Sequence, residues 1–481
     1  MTFPGYHGAL PRRYVALLGA TGIAALGAAL VEYATTRQVA EAAEAVVAVL
    51  LGGGVAGLAV SLPGITLGGL ALGGFFVTAG VLSWSYSERP VVVWSLLLVE
   101  GVVFAVWSRP WLRYLRPSVR LGTAWLGVSY WLLGIVGAVL VLHPGVAAQR
   151  LLYAGVFGLA VFAALAGTRA GRSGGAGPAP TDLSIGVVAA FLLAIAALLV
   201  SGSGNLFDTH HVAVDTAWGK NMDLRFWGGP WLLYHPNSLA GIAVAAAIRI
   251  GLGRGFAPWQ RLAATVLAGA VIYVVDSRTG LVFLGVASVL HAGLLVWHRR
   301  RPVTDLPEYS GRRLLAAAVL PFLVVATVLV ATGGQGFLTQ QRYGGTGSSG
   351  LTSGRSDTWI QVGRDWVDDS LPEKIFGDAE TARAVVYRES SGHEVKLTTD
   401  NAAVGALRRG GVLGAGAFLI GWGLLLRTAL RRTSSAWLLV AAVAAVPTIA
   451  TADWVLGGTG GTLWILLVTG ETLSRSGTDR S

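Results

Sequence analysis

The stretch Leu183 to Ser201, LSIGVVAAFLLAIAALLVS, contains no charged residue. As a helix rising about 1.5 Å per residue it is long enough to cross a bilayer core about 30 Å thick. Runs of the same kind recur outward from it, starting near Tyr14, Ala42, Ile65, Pro90, Leu121 and Leu151 on one side. On the other side they start near Pro230, Trp259, Thr279, Leu314, Ala402, Ser435 and Val455. The chain therefore reads as an all-α, polytopic membrane protein of about 12–14 transmembrane helices. The first run is followed by others, so it is not expected to be a cleaved signal peptide.

Composition supports this reading. Of 481 residues 53% are hydrophobic and only 13% are charged, about half the ~25% that keeps an ordinary domain in solution. A soluble enzyme is excluded. The 67 glycines lie mostly inside apolar runs without a three-residue period, which excludes a collagen-like chain and suits membrane helices. The absence of cysteine removes disulfides, thiolate chemistry and Cys-ligated metal centres.

The net charge of +11 does not point to nucleic acid, because the basic residues fall in short clusters between apolar segments. Arg12 and Arg13, Arg109 to Arg120, Arg169 and Arg172, Arg249 to Arg261, Arg299 to Arg313, and Arg427 to Arg432 occupy alternate connections. The positive-inside rule then sets both termini in the cytoplasm of a multi-pass plasma-membrane protein. Residues 1–166 form the first group of helices and 167–182 a cytoplasmic Gly/Ser/Pro linker. Residues 183–332 carry further helices with an outer loop at 201–229, 333–400 a large extracytoplasmic loop, and 401–474 the last helices.

The loop at 333–400 is longer than connections usually are, which marks it as functional or disordered. Within it, Ser356 to Asp369 sets Trp359, Val362 and Trp366, with Ile360 and Val367, at helical spacing. This predicts an amphipathic helix, either lying on the membrane or capping a cavity. Asp368 and Asp369 read as its solvated face.

Four short segments collect polar chemistry at the outer face. Tyr234-His235-Pro236-Asn237 opens one helix, and Pro236 suits a first turn, where a missing N–H costs nothing. Asp276-Ser277-Arg278-Thr279-Gly280 opens the next outward turn. Ser353-Gly354-Arg355-Ser356 precedes the amphipathic stretch, with Ser356 available as a cap. Thr398-Thr399-Asp400-Asn401 leads into a helix whose second turn holds Arg408 and Arg409. Capping and snorkelling account for each segment singly. Together, arginines offered from separate elements suit a diphosphate, since the guanidinium supplies permanent charge and a planar fork of donors. No metal site is expected. His210 and His211 are adjacent, and neighbours in sequence rarely converge on one ion. Glu100, mid-way along an apolar run, either pairs within the bundle or lines an acceptor path.

In their order, Asn237 in a Pro-Asn turn, Ser277-Arg278, Gly354-Arg355 with Trp359, and a long loop ending at a helix resemble the O-antigen ligase and polymerase superfamily. Its closing motif runs His, then Asn, Ser or Gln, nine residues, Gly, two residues, and Gly, Thr or Tyr. Asn401, Gly411 and Gly414 fall in register with it, while Asp400 stands where ligases have His. The resemblance spans roughly Ser201 to Gly421. It implies a metal-independent, inverting glycosyltransferase that needs no cofactor. Such an enzyme moves a glycan from a polyprenyl (undecaprenyl) diphosphate carrier to a hydroxyl of a glycan or glycolipid acceptor outside the cytoplasm. By that resemblance Arg278 and Arg355 hold the diphosphate and Asp400 takes the general-base position. His235, Asn237, Asn401, Arg408 and Arg409 line the substrate. The change from His to Asp leans toward a polysaccharide polymerase. A transporter or flippase of a lipid-linked or sugar substrate is the alternative, although such proteins gather polar groups near the midplane on broken helices.

Overall fold

Lipid offers the backbone no hydrogen-bond partners, so an apolar run satisfies its own N–H and C=O groups by forming a helix. The computed structural model describes residues 39–85, 89–107, 183–202, 212–216, 219–223, 232–253, 255–275, 277–298, 355–377, 384–388, 394–398, 401–431 and 436–451, with isolated positions elsewhere. The helices are α1 (Val39–Ser61), α2 (Leu67–Ser85), α3 (Pro90–Trp107), α4 (Leu183–Ser201), α5 (Pro236–Leu252), α6 (Pro258–Val274), α7 (Arg278–His298), α8 (Arg355–Asp368), α9 (Leu371–Phe376), α10 (Ala402–Arg431) and α11 (Ala436–Thr451). The body of the protein is all-α. Among the described residues four helices, over Ala43–Ser61, Gly68–Ser85, Leu183–Ser201 and Ala402–Arg427, are long and apolar enough to cross a membrane. The chain is a multi-pass membrane protein. The runs expected near Tyr14, Leu121 and Leu314, the linker and both termini lie outside the described residues.

Helix α4 packs against α1, α2 and α5, and small residues are what let it do so. A Cβ on Gly186 would stand 2.7 Å from the Gly69 Cα, and one on Gly73 would stand 2.8 Å from the Val187 Cα. Two backbones in near contact gain packing that larger side chains would prevent, which is how helices associate in lipid, where no hydrophobic force draws them together. Helix α5 is buried along almost its whole length, between α4, α6, α7 and α11. It is the central post of the second half. Outward-facing Val92, Leu96, Val99 and Val103 on α3 are exposed, as residues directed at acyl chains are.

Both long loops contain strands that the sequence reading leaves out. Strands β1 (Val212–Thr216) and β2 (Gly219–Asp223) pair antiparallel within the loop at 201–229. In the large loop β3 (Ala384–Arg388) pairs antiparallel with β4 (Glu394–Thr398), bringing Ala384 opposite Thr398. The alternation in AVVYR and EVKLT is only five residues long in each strand, too short to stand out against helical runs three times that length. The amphipathic helix forms where expected, one residue early. It begins at Arg355, so Ser356 lies in its first turn and is not its cap.

Candidate functional site

Pro236 is the first residue of α5, with His235 at the cap position in extended conformation. Ser277 precedes α7, and its hydroxyl does two things at once. It accepts the Gly280 backbone N–H at 3.0 Å, capping α7, and donates to Asn237 Oδ1 at 2.9 Å, with both side chains buried. That bond sets the N-termini of α5 and α7 at one end of the bundle. A net gain of about 0.5–1.5 kcal/mol is typical of one such bond, and breaking a buried one costs more than that because the partner is left dry. Arg278, half-buried, is the first residue of α7.

Helix α2 reaches the same place. Its last residue, Ser85, accepts the Leu233 N–H at 3.0 Å, and Trp84 lies against the His235 ring at 4.8 Å between centroids. Trp84 and Ser85 are absent from the residues singled out by sequence. The signal available was the polar and aromatic break SWSYSER between two apolar runs.

The second group forms around the start of α10. Asn401 is its cap: the side-chain carbonyl accepts the N–H groups of Ala403 at 3.0 Å and Val404 at 3.1 Å. Asp400 lies outside the described residues, as do Asp276 and His393. Arg355 opens α8, which packs against α10; Arg408 and Arg409 are half-buried one to two turns into α10, and Arg409 Nε donates to the Gly405 carbonyl. The described contacts thus join His235, Asn237 and Arg278 in one group, and Asn401, Arg408, Arg409 and the helix that Arg355 opens in another. Among the described residues no three His, Asp or Glu side chains are grouped so as to hold a metal ion.

Two helices here begin with an arginine. The N-terminus of a helix carries partial positive charge and favours anions, so a cation there is unfavourable by about 0.3–1 kcal/mol. A cation at a helix start is at odds with helix stability, whereas an anion is favoured there.

Gly411 has φ 58° and ψ −159° and breaks α10 into two helices. A Cβ there would overlap the Ile375 carbonyl, and one on Gly377, at φ 87°, would overlap the Arg409 carbonyl. Backbone therefore meets backbone where α9 docks into the break, while Trp366 Nε1 ties α8 to the Lys374 carbonyl at 3.2 Å. Gly411→Ala should release α9 from α10, since that conformation alone costs about 1–3 kcal/mol for a residue with a side chain. Limited proteolysis should show faster cleavage at residues 369–378. Gly423→Ala, in the same helix with open space around it, should leave the pattern unchanged.

No protein-family model, no curated protein and no solved structure matches this chain.

Proposed function

We propose that the protein is a membrane glycosyltransferase of the O-antigen ligase and polymerase kind, extending a cell-surface polysaccharide from a polyprenyl diphosphate-linked donor on the extracytoplasmic face. The observation that carries the reading is the buried Ser277–Asn237 bond, which joins two of the motif segments at one end of the bundle and sets Arg278 beside them. In the reaction an acceptor hydroxyl oxygen attacks the anomeric carbon from the face opposite the diphosphate. The anomeric C–O bond breaks, its electron pair leaves on the diphosphate, and the hydroxyl proton passes to Asp400. Arg278 and Arg355 stabilise the charge that develops on the leaving group. Proton loss comes late, when the anomeric carbon is already cationic, so a carboxylate is a sufficient base.

The test is the glycan profile of a deletion strain. Polymerase activity is supported by accumulation of single repeat units on the lipid carrier with loss of long polymer. Full-length polymer that stays on its carrier indicates a ligase, and repeat units confined to the cytoplasmic leaflet indicate a flippase and end the transferase reading.

A further inference from the structure

Helix α8 has two apolar sides, and only one of them is covered. Thr358 and Val362 are buried and Trp359 and Trp366 partly so, and the helix packs against β3, α10 and α9. Ile360 and Val367, two turns apart on another side, are 54% and 62% exposed, and Leu371 at the start of α9 is 70% exposed. At about 100° per residue Asp365 falls on the far side from this second stripe, while Asp357 and Asp368 lie roughly 70° and 90° round from its centre. The charge nearest it is the exposed Arg364. The uncovered stripe is thus flanked on one side by Arg364, with Asp357 and Asp368 beyond it, and on the other by the half-buried Trp359 and Trp366.

The position of α9 on α10 bears on where this stripe lies. About 20 residues span the hydrocarbon core, and the apolar span of α10 runs from Ala402 to Arg427. Helix α9 docks on α10 at Arg409 to Gly411, near the Ala402 end of that span. Exposed apolar residues of α10, Val412 and Leu413, begin immediately past that junction. The exposed Leu371 thus opens the short helix that docks where the exposed apolar side of a spanning helix begins.

We infer that α8 and α9 form a wedge seated in the bilayer surface, with Ile360, Val367 and Leu371 at the acyl boundary and Arg364 among lipid phosphates. Interfacial helices bury their apolar side to about 5–10 Å, tryptophan favours the headgroup level, and an arginine beside the stripe reaches up to the phosphates while its stem stays apolar. This inference rests on the membrane-spanning character of α10 and not on the proposed transfer reaction, so either can fail without the other.

The chain lacks cysteine, so single-cysteine spin labels can be placed directly. Ile360→Cys, Val367→Cys, Leu371→Cys and Asp368→Cys are labelled with a nitroxide in the full-length protein, in nanodiscs of phosphatidylcholine and phosphatidylglycerol. Oxygen should relax the labels at 360, 367 and 371 more than a water-soluble nickel chelate does, and the order should reverse at 368. Nickel prevailing at 360 and 367 would place the stripe in water and overturn the inference. Neither reagent reaching those labels would mean that protein covers the stripe, a second copy of this chain included, and would overturn it equally.

Discussion

Asp400→Asn is expected to insert and fold as the parent chain does and to lose transfer activity by roughly 10²–10⁴-fold, the contribution of a positioned general base. The substitution separates chemistry from stability because the cap of α10 is supplied by Asn401, whose carbonyl already holds the Ala403 and Val404 N–H groups. Losing the carboxylate therefore leaves the helix start intact. Asp400→His restores the residue of the ligase motif and should retain partial activity. The pH profile assigns the base independently. A base must be deprotonated to act, so activity falls as pH drops through its pKa, near 6.5 for an unperturbed His and near 3.9 for an unperturbed Asp. With Asp400 as the base there should be no acid limb around pH 6.5. His393 is the rival in the same loop. Normal turnover in Asp400→Asn together with loss in His393→Gln would transfer the role to His393.

Arg278→Lys and Arg355→Lys should each slow transfer by roughly ten- to a hundredfold although the charge is kept. An ammonium is a point charge and cannot match two phosphate oxygens with a planar fork, so part of an interaction worth about 1.5–3 kcal/mol is lost, and each 1.36 kcal/mol is tenfold in rate. Both residues open helices, α7 and α8, and lysine keeps a cation at each helix start, so expression and membrane insertion should not change. Turnover equal to the parent in both variants would reduce these arginines to interfacial anchors and remove the diphosphate from the mechanism.

The spanning helices and the helix starts at the candidate site could be read from the chain because each depends on local chemistry. Leu183 to Ser201 has no charge to place, Pro236 suits only a first turn, and the 3.6-residue spacing of Trp359, Val362 and Trp366 survives without knowledge of any neighbour. The features that escaped depend on residues far apart in sequence. Nothing near Gly411 indicates that the end of α9 will lie against it, and Ser85 meets Leu233 across 148 residues. Spacing also does not show the structural partners of Asn237 and Asn401, whose side-chain carbonyls accept from Ser277 in one case and from the α10 backbone in the other. The amphipathic stripe on α8 was visible from spacing, but only packing divides it into a covered and an uncovered side.

The close fit of α2 on α4 constrains how the protein is made. Residue 85 ends α2 and residue 183 begins α4, so 97 residues separate the last turn of one from the first turn of the other. At about 5–20 residues per second of synthesis, the notched face formed by Gly69 and Gly73 waits some 5–20 seconds for its counterpart. During that interval the groove lacks the helix that fills it in the finished protein. Helix α2 is thus committed to its place in the bilayer before its tightest neighbour exists. Mutations that widen the notch would act on the yield of newly assembled protein before they act on the stability of finished molecules.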